Sequence, residues 1–260
     1  MNNVKIYLHN LLLIMITTDL QYFGTISFIK NLIKQDKVYF DNNQPFTKMS
    51  FKNRMVIASA QGPLHLTIPI VGGRDQKTCI SEIQIDYSTK WNEHHLKSII
   101  TNYKRAPFFE YYEMELNEIY SQQTVLLADF LLNINLWVKS KMKGNWELSL
   151  QNNNEQLNRF YDPYLPKNYF EIINPVMYQQ VFEDKTGFLP NLCILDMLFC
   201  CGGKQANISN HDALKSHVPI FHKALNRPTL YYSLKNHRLH CYFHICLIAF
   251  QELPFLTDSF

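Results

Sequence analysis

The stretch LLLIMITTDLQYFGTISFIKNLIKQDKVYFD, Leu11 to Asp41, decides the fold. Leu11 to Ile16 form an apolar run far short of the roughly 20 residues that cross a membrane, and of a length that suits a buried strand. Phe23, Ile26, Ile29, Leu32 and Ile33 then recur at helical spacing, and Val38, Tyr39 and Phe40 favour strands. Strand, loop, helix and strand in that order make a βαβ-like start with parallel pairing. The run also resembles a weak signal segment without a small-residue cleavage site, and Met15 is an alternative start.

Working outward, Leu64, Leu66, Ile68 and Ile70 alternate with His65, Thr67 and Pro69. This predicts a hairpin over Met55 to Ile70, with its turn at Gln61-Gly62-Pro63, a buried Leu/Ile face, and His65 pointing away. Pro69 cannot donate to a ladder and argues for an edge. ISEIQID predicts another short strand around Ile83 and Ile85. A helix follows, with Ser88 or Thr89 as N-cap, Glu93 in its first turn, and a buried stripe of Trp91, His95, Ile99 and Tyr103. Pro107 ends it, and Phe108 to about Met142 reads as helical. KGNWELSLQNNNEQLNRFYDPYLPKN has the Asn, Gln and Pro content of a linker or long loop, and an apolar helix resumes after a turn at Gly187 to Asn191. The expected class is α/β (or α+β), a small mixed sheet with a β-hairpin followed by a helical C-terminal half.

With 260 residues, 47% of them hydrophobic, the chain can bury a sizeable core. The formal charge of +3 is spread over 25 basic and 22 acidic residues without long blocks, so nucleic acid is not an expected partner. Six cysteines in a chain of this size suit a reducing cytoplasm better than a disulfide scaffold.

Three constellations have chemical potential. Lys48, Lys52, Asn53 and Arg54, with Gln44 and Tyr22 upstream, carry the donor set of a carboxylate or phosphate site, and a solvated strand entry has the same composition. His95 on an apolar helix face is either a satisfied core histidine or a general base with a shifted pKa. In the tail, His237, His240, Cys241, His244 and Cys246 lack the paired spacings of a zinc site, and no metal is expected. No G-x-S-x-G, P-loop, G-x-G-x-x-G or H-E-x-x-H is present, so no cofactor is expected.

LQYFGTISFIKNLIKQDKVYFDNNQPFTKMSFKNRMVI, GPLHLTIPI, WNEHHLKSIITNYKRAPFFEYYE and YQQVFEDKTGFLPNLCILDMLF together resemble the WbqC-like family in its Bacteroidetes-type form. The family pattern falls on Gln21, Tyr22, Phe23, Lys48, Asn53 and Arg54, on Trp91, His95, Tyr103, Pro107 and Phe109, and on Gln180, Phe182, Phe188, Leu189, Pro190 and Asp196. The resemblance implies a cytoplasmic transferase of a small group, aminoacyl, acyl or glycosyl, in O-antigen and other cell-surface polysaccharide assembly. Its substrate would be a small anionic or sugar-linked molecule. His95 would be the catalytic base, with Gln21, Tyr22, Lys48, Asn53 and Arg54 binding substrate; the alternative is a non-catalytic binding or scaffold protein of envelope biogenesis. TTDLQYF departs from the family's proline-containing first loop.

The expected organisation is an N-terminal segment over 1–19, the domain over 20–208, and an atypical extension over 209–260. Deleting 209–260 should leave the core folded. In thermal melts the shortened chain is expected to unfold as cooperatively as the full one, and a large fall in melting temperature is the contrary result.

Overall fold

The computed structural model describes residues 15–142, 147–151 and 158–205, all within one compact unit, Met1–Lys215. The tail histidines and cysteines, and the apolar run before Met15, lie outside the described residues.

The βαβ start is present: β1 (Met15–Thr18), α1 (Ile26–Leu32) and β2 (Lys37–Asp41), with Ile16 beside Val38 and Thr18 beside Phe40 in parallel register. Thr25 caps α1, its Oγ1 accepting the Phe28 N–H at 3.2 Å, and Ile26, Phe28, Ile29 and Leu32 bury the helix against the core.

Two further strands come from the stretch read as a linker. β5 (Glu147–Gln151) pairs with β2 and β6 (Asn158–Arg159) pairs with β1, both parallel, giving the order β5-β2-β1-β6. Trp146-Glu147-Leu148-Ser149-Leu150 does alternate, but the asparagines that follow mask so short a signal. The α/β class stands. The sheet itself is wholly parallel, and the antiparallel part is a separate hairpin, β3 (Arg54–Ser59) with β4 (Gly62–Thr67).

In that hairpin Ser59 pairs with Gly62, so Ala60 and Gln61 make the turn and Pro63 belongs to the strand. Leu66 is buried and His65 exposed, as the alternation predicts. Ile83 and Ile85 are buried too, yet form no strand. Their segment is a 3-10 turn, Ile80–Glu82, followed by isolated bridges to Ile70 and Leu126, because its neighbours are the Pro69 end of the hairpin and the entry to a helix.

α2 (Trp91–Tyr103) buries Trp91, His95, Ile99 and Tyr103 as the stripe predicts, but its cap is Lys90 in a left-handed conformation rather than Ser88 or Thr89. The long helical segment is split into α3 (Glu110–Ser121) and α4 (Leu127–Met142). The break arises where the Val125 carbonyl accepts the Ile85 N–H and the Thr124 carbonyl accepts the Tyr87 hydroxyl. After the short α5 (Glu183–Thr186), α6 (Ile194–Gln205) starts in the protein centre, where the Cys193 N–H donates to Val56 and the Ile194 N–H to Gly24.

α6 crosses the end of α4 so closely that a Cβ on Gly203 would overlap the Lys141 carbonyl oxygen. Backbone cannot yield as a side-chain tip can, so Gly203→Ala is expected to cost about 2 kcal/mol or more in urea unfolding, in the range of overpacking. A cost below about 0.5 kcal/mol would show that the crossing is loose.

Candidate functional site

The loop between β1 and α1 carries two of the predicted residues in different directions. Gln21 is buried; its Nε2 donates to Asp162 Oδ2 at 2.7 Å, its Oε1 accepts the Thr25 N–H at 3.3 Å, and its carbonyl accepts Asn135 Nδ2 at 2.8 Å. The Tyr22 hydroxyl bonds His95 Nδ1 at 3.0 Å and also the Tyr120 hydroxyl. Elsewhere, Lys48 is exposed and paired with Asp75 at 2.8 Å. Asn53 Nδ2 donates to the Ile68 carbonyl at 2.9 Å, pinning the open end of the hairpin, and Arg54 Nε donates across it to Thr67 Oγ1 at 3.0 Å. Tyr22 and His95 are thus brought together. Among the described residues, no hydrogen bond or ion pair joins Lys48, Asn53 or Arg54 to Gln21 or His95.

The sheet assembles a different group. From β1 the chain builds outward to β2 and β5 on one side, and β6 then returns to the other flank of β1, so the strand order reverses between β1 and β6. In open parallel sheets the carboxyl ends at such a reversal leave a crevice where ligands bind. Asp19 follows β1, Asp41 ends β2, Arg159 ends β6, and Asp162 lies three residues beyond. Arg159 bridges the reversal, with Nη2 2.5 Å from Asp19 Oδ1 and Nη1 2.6 Å from Asp41 Oδ2, and its guanidinium lies 5.1 Å from the Tyr161 ring centre. Buried Lys52 enters from the loop before β3, 3.5 Å from Asp19 Oδ2 and 3.2 Å from the Pro45 carbonyl. Arg159 Nε and Asn42 Oδ1, in the same region of chain ends, are buried with no partner among the described residues.

Asp162 is the carboxylate of this group that meets neutral donors, the Gln21 amide and the Tyr164 N–H at 3.1 Å. Burial holds its pKa above the usual carboxylate range and these two donors pull it partly back. Asp19, Asp41, Arg159, Asp162 and Asn135 were not marked by sequence. Arg159 and Asp162 sit in the stretch that reads as a linker, and their signal appears only once β6 is recognised as a strand.

Two buried ionisable groups lie in the core. Burial drives the His95 imidazole down to about 4, His94 adds to this, and the Thr67 backbone opposes it. His95 is therefore neutral near pH 7, with Nδ1 engaged by Tyr22. Asp196 on α6 is fully buried and accepts the Tyr103 hydroxyl at 2.6 Å and the Tyr178 hydroxyl at 2.5 Å. Desolvation outweighs those bonds and raises its pKa to about 6. Burial also pushes the Cys193 thiol up to about 12 and Cys201 to about 11, which leaves neither an activated nucleophile. Among the described residues, no group of three or more His, Cys, Asp or Glu could hold a metal ion.

His95 and Asp196 act oppositely on stability. His95 takes up its proton at lower pH folded than unfolded, so its contribution is present above about 6.5 and is lost as pH falls toward 4. The full shift corresponds to about 3 kcal/mol. Asp196 binds its proton more tightly when folded, so its contribution is present below 3.8 and is lost as pH rises through 6. Asp196→Asn removes the second slope and leaves the first. Its stability is expected to fall more steeply than the parent's between pH 6.5 and 4.5 in denaturant titrations, and parallel profiles would contradict these assignments.

No helix among the described residues is long and apolar enough to cross a membrane. No curated protein and no solved structure matches the chain. Residues 21–162, more than half of the sequence, match the model of the WbqC-like protein family. The match starts at Gln21 and stops at Asp162, the two residues that meet at the carboxyl edge of the sheet. By this match, the chain belongs to the WbqC-like protein family.

Proposed function

We propose that this protein is a small-group transferase of cell-surface polysaccharide assembly, working in the cytoplasm, whose substrates meet at the carboxyl ends of β1 and β6. The observation that carries the reading is the Arg159 bridge from Asp19 to Asp41 across the strand reversal, with Asp162 and Gln21 beside it. A carboxyl group whose pKa is raised by burial is a feature that catalytic sites use. Asp162 takes the proton of an acceptor hydroxyl or amine as that atom adds to the donor's carbonyl carbon. Arg159 and Lys52 stabilise the oxyanion that forms, and its collapse breaks the bond to the donor's leaving group. Gln21 orients Asp162. Tyr22 and His95 position the β1–α1 loop from the core side, Asn53 and Arg54 hold the open end of the hairpin, and Lys48 pairs with Asp75.

The rival reading, a binding or scaffold protein, draws on the exposed Phe170, Ile173 and Met177 between β6 and α5. A thermal-shift screen with acyl, aminoacyl and nucleotide-sugar donors, followed by mass-spectrometric detection of transfer, separates the two. A donor is expected to stabilise the parent and Asp162→Asn to similar extents, with transfer by Asp162→Asn slowed about 100-fold or more. Arg159→Ala should lose the stabilisation, and Arg159→Lys should recover part of it. Failure of every donor to stabilise the parent, or stabilisation unchanged in Arg159→Ala, overturns the transferase reading in favour of the scaffold.

A further inference from the structure

We propose that a cavity of about 420 Å³ between the end of α2 and α5 binds a small organic oxyanion, a carboxylate or a phosphate, through Arg105 and Lys185. The site shares no residue with the charge cluster at the sheet edge.

Arg105 and Lys185 both line the cavity, and among the described residues neither has an ion-pair partner. Asp184 lines the same space, so two cations and one carboxylate leave a net charge of +1, and a bound anion is neutralised there. Pro107 and Phe182 supply apolar wall, and a volume of this size lies within the range of small-ligand sites.

The walls are pinned before any ligand arrives. Arg105 sits in the turn after α2, where the Ala106 N–H donates to Tyr103 at 2.8 Å and the Phe108 N–H to the Phe199 carbonyl on α6 at 2.9 Å. Lys185 sits in α5, where its own N–H and that of Thr186 both donate to the Phe182 carbonyl at 2.9 Å. Between them, buried Gln180 is locked on every side. Its Nε2 donates to the Leu189 carbonyl at 2.8 Å and to the Tyr178 hydroxyl at 3.0 Å, and its Oε1 accepts the Leu189 N–H at 2.8 Å. Tyr178 in turn donates to Asp196 on α6. The Arg105 and Lys185 side chains are both exposed on backbone held in place, and an anion within reach of both gains a charge-assisted bond from each. The Arg105 guanidinium supplies the planar fork that matches an oxyanion.

The test is isothermal titration calorimetry of the full chain at low ionic strength with inorganic phosphate and, separately, malonate. A chloride titration matched in ionic strength is the control. Saturable binding of at least one probe is expected, weakened tenfold or more in both Arg105→Ala and Lys185→Ala and retained within about threefold in Arg105→Lys. Arg159→Ala, which removes donor binding at the proposed transferase site, should leave it unchanged, and this keeps the two sites separate. Absence of saturable binding, an equal response to chloride, or affinity indifferent to both alanine substitutions would overturn the proposal.

Discussion

The left-handed turn at Phe23 and Gly24 is the constraint on which the rest of the structure depends. Phe23 takes φ 55° and Gly24 φ 43°, in the middle of the core. For a bulky residue that conformation costs on the order of 1–2 kcal/mol, and such strain persists only where surrounding contacts over-determine it. They do so here. The Tyr22 N–H donates to Phe51, the Gln21 carbonyl accepts Asn135, the Gly24 carbonyl accepts Ile194, and the Ile26 N–H donates to Leu192. A side chain at Gly24 would press within 2.9 Å of the Phe28 ring, so the second position of the turn needs glycine for space as well as for φ. One turn therefore ties β1, α1, α4, α6 and the loop before β3 to a single point. It also sends Gln21 to the sheet edge and Tyr22 to His95.

The same turn determines what kind of site the loop can form. In many α/β proteins the first βα loop and the helix that follows cradle phosphate through free backbone N–H groups. Here the Phe28 N–H is taken by Thr25 Oγ1 and the Ser27 N–H by Asn191 Oδ1 at 2.9 Å. Polar chemistry at this edge falls instead to side chains held by β6 and by the loop before β3. Arg159 and Lys52 contribute through fixed positions beside Asp19, with their charges already partly balanced.

How much of this was legible follows from the range of the interactions involved. The helical spacing of Ile26, Ile29 and Leu32, the stripe from Trp91 to Tyr103 and the alternation of Leu64 and Leu66 are local patterns, and each emerged as the expected buried face. β5 and β6 were not legible, because the brief alternation of β5 is masked by the asparagines that follow it and the two residues of β6 have no periodicity to detect. Lys48 and Lys52 show the limit for sites. Four residues apart and alike in sequence, one is an exposed partner of Asp75 and the other a buried partner of Asp19. That difference comes from contacts far along the chain. His95 was identified as a buried polar group on a helix face, but its partner Tyr22 lies 73 residues away and appears only in the fold.

β6 is attached to β1 by the register of Ile16 with Asn158 and Thr17 with Arg159, together with the Phe160 N–H bond to Thr17. So short a ladder contributes little alone, and the Arg159 bridge to Asp19 and Asp41 holds the strand end laterally. Ion pairs this poorly solvated rarely improve on apolar packing, because desolvation offsets most of their attraction. Their value is geometric: replacing them with hydrophobic residues could keep the strand in place, but it would abolish the charged edge at the reversal. Docking β6 and assembling the polar group are therefore one event. The Arg159 side chain that fixes the strand also spans the strand reversal, and the chain that leaves the strand delivers Asp162 to Gln21.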